Sequence, residues 1–162
     1  MKLGIALLLV IAKASLAAPP DGLSFWEFSS CETPEIQERM QCNPYSAELT
    51  VLYNNGKICG WIDQSWFNKS PSAGFIATNY YKNELVKFAD SFQENERDFG
   101  WAILRFTGTG VEWKVLKSPR GGMVGDVSEL RRVQEHGVTE LHIPTSCAKL
   151  KEMTGAPFPL DE

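Results

Sequence analysis

The sequence predicts one α+β domain: a mainly antiparallel sheet with two or three helices packed on it, braced by two disulfides. Three observations lead there. Asn54-Asn55-Gly56 lies between two apolar runs, and Asn-Gly in that setting is the strongest short hairpin signal because both turn residues tolerate positive φ. Two later stretches carry apolar residues at helical spacing with capping residues at their ends. The four cysteines are an even number, as a disulfide framework requires.

The N-terminus sets the compartment. Met1-Lys2 is a small positive start, Leu3 to Ala12 is an apolar run, and Ser15-Leu16-Ala17 places small residues where a signal peptidase reads them. A spanning helix needs about 20 apolar residues, and this run is half that and is followed by Lys13. Residues 1–17 are therefore expected to be a cleavable signal peptide, 18–24 a flexible leader, and 25–162 a single domain secreted to the extracellular space. No other stretch is apolar enough to span a bilayer. Loss of Lys2 and Lys13 deepens the formal charge from −4 to −6, which disfavours nucleic acid as a partner.

The elements follow in order. Phe25 to Phe28 is the first expected ordered piece. Thr33-Pro34 has the form of a helix start, with a helix over 34–41 between Cys31 and Cys42. Ala47–Tyr53 and Lys57–Ile62 form the hairpin, with Leu52 opposite Cys59 and Val51 opposite Gly60. Ser70-Pro71-Ser72 breaks structure, and Gly74 to Thr78 reads as a short strand. Asn83 caps an amphipathic helix to about Glu94, with Leu85, Phe88, Ala89 and Phe92 on one face. Trp101–Phe106 and Val111–Leu116 are strands. Asp126 and Glu129 have capping-box spacing and Gly137 follows, which predicts a helix over 127–136. Val138 to Ile143 is a last strand, and Ser146 caps a short final helix ending before Gly155. Of three possible connectivities, Cys31–Cys147 with Cys42–Cys59 is favoured. It ties the N-terminal segment to the last helix, and long loops gain most in the entropic account.

Candidate chemistry is sparse. His136 and His142 are the two histidines, and Glu140 shares a strand face with His142. A carboxylate beside an imidazole supports acid–base work, and Arg120, in Ser118-Pro-Arg-Gly-Gly122, offers a cation to an anionic substrate. No metal site, cofactor motif, nucleophile elbow, phosphate loop or calcium loop is present in the sequence pattern, so neither metal nor cofactor is expected. Aromatics crowd residues 61–81. Trp66-Phe67, set among polar residues, is the expected partner-binding pair, and Asn68-Lys69-Ser70 beside it is a glycosylation sequon on Asn68.

Two likenesses frame the function. In its signal peptide, four cysteines, size and lack of a motif the chain resembles the small secreted effector proteins of plant-associated fungi. That likeness is one of composition and carries over no residue. It implies a disulfide-stabilised protein with a host-interaction or virulence role, binding an extracellular or host protein or glycan, without enzymatic activity. In size, expected antiparallel sheet and two disulfides it is also similar to microbial ribonucleases. This alternative implies a small secreted hydrolase using His142, Glu140, His136 and Arg120. Those families space their two histidines far apart, whereas six residues separate these.

Overall fold

The structure, a computed structural model, describes residues 17–30, 45–66, 68–78, 80, 84–133, 146–154 and 157–159. Among these residues eight strands run up and down in sequence order: β1 Gly22–Ser29, β2 Tyr45–Asn54, β3 Lys57–Trp66, β4 Ser72–Ala77, β5 Leu85–Asp90, β6 Gly100–Phe106, β7 Val111–Lys117 and β8 Val127–Val133. Each pairs antiparallel with the next, and β8 returns to β1 through Phe25↔Val133, Trp26↔Arg132 and Glu27↔Arg131. The result is a closed barrel, which has no sheet edge for another chain to extend. Among the described residues the one helix, α1 Cys147–Thr154, packs outside β3.

The α+β expectation is thus wrong, and two predicted helices are strands. Residues 85–90 form β5, where Val86, Phe88 and Asp90 are buried and alternate with Leu85 and Lys87. Residues 127–133 form β8. Its pairing with β7 slips between Val111↔Leu130 and Trp113↔Val127, and Glu129 takes φ +62°, the mark of a bulge. One extra residue in a strand turns the two-residue spacing of buried positions into a three-residue spacing, Val127 to Leu130, which imitates a helix. Asp126 caps no helix: its Oδ1 accepts the Val115 N–H at 2.7 Å. The expected helix 34–41 and strand 138–143 lie outside the described residues.

Other expectations hold. The β2–β3 hairpin has the anticipated register, Leu52↔Cys59 and Val51↔Gly60, around Asn55 and Gly56 at φ +49° and +79°. Two consecutive positive φ values match the turn type that suits twisted strands. The final helix starts as predicted, with Ser146 Oγ accepting the Lys149 N–H.

The barrel interior is filled by side chains. Trp113, Phe75, Phe88, Phe106, Leu49, Ile58, Ile62 and Leu104 are fully buried. Across β3 to β6 the inward row reads Gly60–Phe75–Phe88–Gly100. The glycines make room for the rings. A Cβ on Gly100 would lie 2.3 Å from the Phe88 ring, and one on Gly60 would lie 1.9 Å from the Thr50 carbonyl oxygen and 2.6 Å from Phe75. Trp113 packs between Phe75 and Phe88, each ring centroid 5.4 Å away. Alternating small and large residues is how a small barrel fills its taper.

Both ends are closed by chain. At one end the β7–β8 loop folds over the opening and buries Val124. Asp90, itself buried, accepts the N–H groups of Met123 and Val124 at 2.7 Å and of Phe92 at 2.8 Å. Gln64 exchanges two bonds with Gly125, 2.8 and 2.9 Å. At the other end Tyr80 packs against Phe106 and donates its hydroxyl to the Leu104 carbonyl.

Among the described residues the disulfide is Cys59–Cys147, with Cα atoms 5.8 Å apart. This overturns the favoured pairings Cys31–Cys147 and Cys42–Cys59; Cys31 and Cys42 themselves lie outside the described residues. Cys59 alternates with the inward residues of β3 and so points outward, where α1 covers it. Leu52, Cys59 and Leu150 form a second buried cluster, flanked by Leu23, Trp61, Ile76, Cys147 and Phe158. The strap continues at Gly74, whose N–H donates to the Pro157 carbonyl at 2.8 Å.

Candidate partner-binding face

Alternation along the strands fixes which side chains face outward. On the wall made by β5, β6 and β7, Lys87, Trp101 and Lys117 stand in register, and Leu85, Ile103 and Lys114 form the adjacent row. The β6–β7 pairing slips between Trp101 and Ala102, which leaves Leu116 as an unpaired extra residue beside Trp101. Trp101 is 39% exposed and Leu116 54%, large values for such side chains. The outward apolar residues of β2 to β4 are covered by α1 and Phe158, but no described segment covers Trp101 and Leu116.

The charges on this wall are partly engaged. Lys87 Nζ lies 4.1 Å from the centroid of the Phe99 ring, a cation–π contact. Lys117 reaches Asp98 at 3.6 Å. Arg105 bonds Glu84 through Nε at 2.8 Å and Glu112 through Nη1 at 3.2 Å. The bond to the Glu84 carboxylate and its charge hold the Arg105 guanidinium protonated even more firmly than usual. Lys114 is exposed and forms no ion pair with a described residue.

The wall on the far side is of opposite character. Glu27, Glu48 and Asp63 face one another directly across β1, β2 and β3, with Arg131 opposite Glu27. Like charges in such positions repel. Partial shielding from water pushes the Asp63 carboxyl above its ordinary value, and a bond from Trp61 acts the other way. A groove of about 430 Å³ runs beside Glu27, Glu48 and Arg131, and a second of about 480 Å³ lies by the β8 bulge, between Thr109, Glu112, Glu129 and Arg131. Since β2 and β6 are four strands apart in a ring of eight, the acidic and the basic-aromatic walls are opposed.

The sequence-predicted site residues fare unevenly. His136, Glu140 and His142 lie outside the described residues, as does Phe67. Arg120 lies in the β7–β8 loop, its exposed side chain bonded through Nε to Glu94 at 2.8 Å and its backbone N–H donating to Asp98 at 2.7 Å. Trp66 ends β3 half-buried, exchanging two backbone bonds with Lys69. Asn68 is exposed in that tight turn, where an oligosaccharide has room. Sequence reasoning missed Trp101 and Leu116. A signal was present, because Trp101, Ile103 and Arg105 share one face of a strand, and a charged residue marks the outward face.

Among the described residues no cluster of His, Cys, Asp and Glu is arranged to hold a metal ion, and no helix is long and apolar enough to cross a membrane. No family model matches the chain, and no curated protein and no solved structure is significantly similar to it.

Proposed function

We propose that this is a secreted, disulfide-braced binding protein that engages a partner outside the cell through the outer wall of β5, β6 and β7. The observation that carries this reading is Trp101 beside Leu116, a large apolar pair left uncovered while the chain's own helix covers the corresponding apolar residues of β2 to β4. Buried aromatic anchors dominate protein and glycan interfaces, and Trp is the residue most enriched there. Export is supported by the N-terminal pattern and by the disulfide, which suits an oxidising compartment. A host-interaction role belongs to the same reading.

The test is capture from the extracellular fluid the protein enters. The purified chain retains a partner, and Trp101→Ser with Leu116→Ser loses at least 90% of it while keeping its circular dichroism spectrum. Equal capture by the double variant removes this wall as the binding face. Hydrolysis of RNA by the purified chain, abolished in His142→Ala, would replace the binding reading by the enzymatic one.

A further inference from the structure

We propose that Cys147 is a thiol-exchange site: a small thiol of the glutathione class opens the Cys59–Cys147 bond there, and the C-terminal strap then lifts off the barrel wall. The β5–β7 wall plays no part in this step. Access decides which sulfur is attacked. Cys59 is fully buried beneath the strap, whereas Cys147, the first residue of α1, is only half-buried. The incoming thiolate therefore bonds to Cys147 Sγ as the bond between Cys147 and Cys59 breaks. Cys59 Sγ leaves with the electron pair and takes up the proton that the small thiol gave up. The products are a mixed disulfide on Cys147 and a thiol on Cys59, one disulfide and one thiol on each side of the step.

Burial of α1 without the bond is slight. Leu150 is its one buried residue, and Met153 is 47% exposed. A helix of eight residues is unstable by itself, and burying one leucine does not offset the backbone entropy of ordering it. Past the helix, the Gly74 N–H bonds the Pro157 carbonyl and the Phe158 ring lies over Gly74. Gly74 admits both because it has no side chain; a Cβ there would collide with each. The barrel closes independently of the strap, since β8 pairs with β1 and every strand has two neighbours. Beneath the strap the outward row Leu23–Leu52–Cys59–Ile76 is apolar throughout, and Trp61 stands in the next row. Opening the bond uncovers this apolar field while the ladder of the barrel stays intact.

Incubation of the purified chain with millimolar reduced glutathione, then acid quench, alkylation and peptide mapping, tests this. Mapping separates Cys59 and Cys147 from Cys31 and Cys42. At early times glutathione is expected on Cys147 and the alkyl label on Cys59. Amide exchange over 147–154 then rises at least tenfold and binding of anilinonaphthalene sulfonate, a dye for apolar surface, increases, while the far-ultraviolet spectrum is unchanged. Gly74→Ala, which unseats Pro157 and Phe158 and leaves both cysteines in place, opens at least threefold faster. Cys147→Ser binds the dye without glutathione. Glutathione found first on Cys59, a bond that resists millimolar glutathione, or unchanged exchange over 147–154 after opening overturns the proposal. So does collapse of the far-ultraviolet spectrum on opening, or an equal opening rate in Gly74→Ala.

Discussion

At the scale of single residues, the fold rests on a few exact fits. Gly100 gives its space to the Phe88 ring, and Gly60 to Phe75 and the Thr50 backbone. Gly100→Ala is expected to lower the unfolding free energy by roughly 1–3 kcal/mol, the usual cost of overpacking, read by urea denaturation. Asp90 carries three N–H groups of two loops at once. Asp90→Ala leaves those donors buried without their acceptor and is expected to cost about 3 kcal/mol or more, with fast amide exchange at Met123 and Val124 as its signature. Little of this was legible in the sequence. Gly60 falls inside an expected strand and Gly100 just before one, and neither position reveals its ring partner, since those come from neighbouring strands. Asp90 falls within the stretch from Asn83 to Glu94 that reads as a helix. Trp101 was legible, through Arg105 on its face, but the crowding of aromatics over residues 61–81 drew attention to Trp66 and Phe67.

Among the elements, local patterns succeeded where local physics decides. The Asn55-Gly56 turn fixes the β2–β3 register by its own backbone geometry, and Ser146 caps α1 within one turn. Patterns failed where the neighbours decide. Residues 85–92 satisfy helical spacing and strand alternation together, and the closed sheet selects the strand. In β8 a bulge at Glu129 shifts the buried positions, so the sequence period no longer reports the backbone. The disulfide could not be read either, because Cys59 faces outward on β3 toward a helix 88 residues later. That bond holds α1 over Leu52 and Trp61. Cys147→Ser is expected to cost about 2–4 kcal/mol. Amides of 147–154 should then exchange faster, while the strands keep their far-ultraviolet spectrum; loss of the whole barrel spectrum would place the bond in the core's stability instead.

As a whole molecule, the barrel joins an aromatic-filled interior to two opposed walls of different charge. Its ends depend on tyrosines kept protonated. Burial, helped by the Asp126 carboxylate, pushes the Tyr45 phenol up to about 12, and burial with Glu84 raises Tyr80 as well, against the opposing charge of Arg105. A phenol whose folded value is raised contributes stability in full below its unfolded value of 10.0, and that contribution disappears as pH climbs through the folded value. Stability should therefore hold to about pH 10 and fall between 10 and 12, seen as a decreasing urea midpoint together with late phenolate absorbance. A flat midpoint across that window would show that neither tyrosine is held as described.

The central claim is that the β5–β7 wall is where a partner sits, and hydrogen–deuterium exchange with the captured partner bound reads it most directly. Protection is predicted over residues 85–89, 100–105 and 111–117, with the acidic wall of β1 to β3 unchanged. Protection instead over Glu27, Glu48 and Asp63, or confined to the turn at Trp66–Asn68, would contradict it.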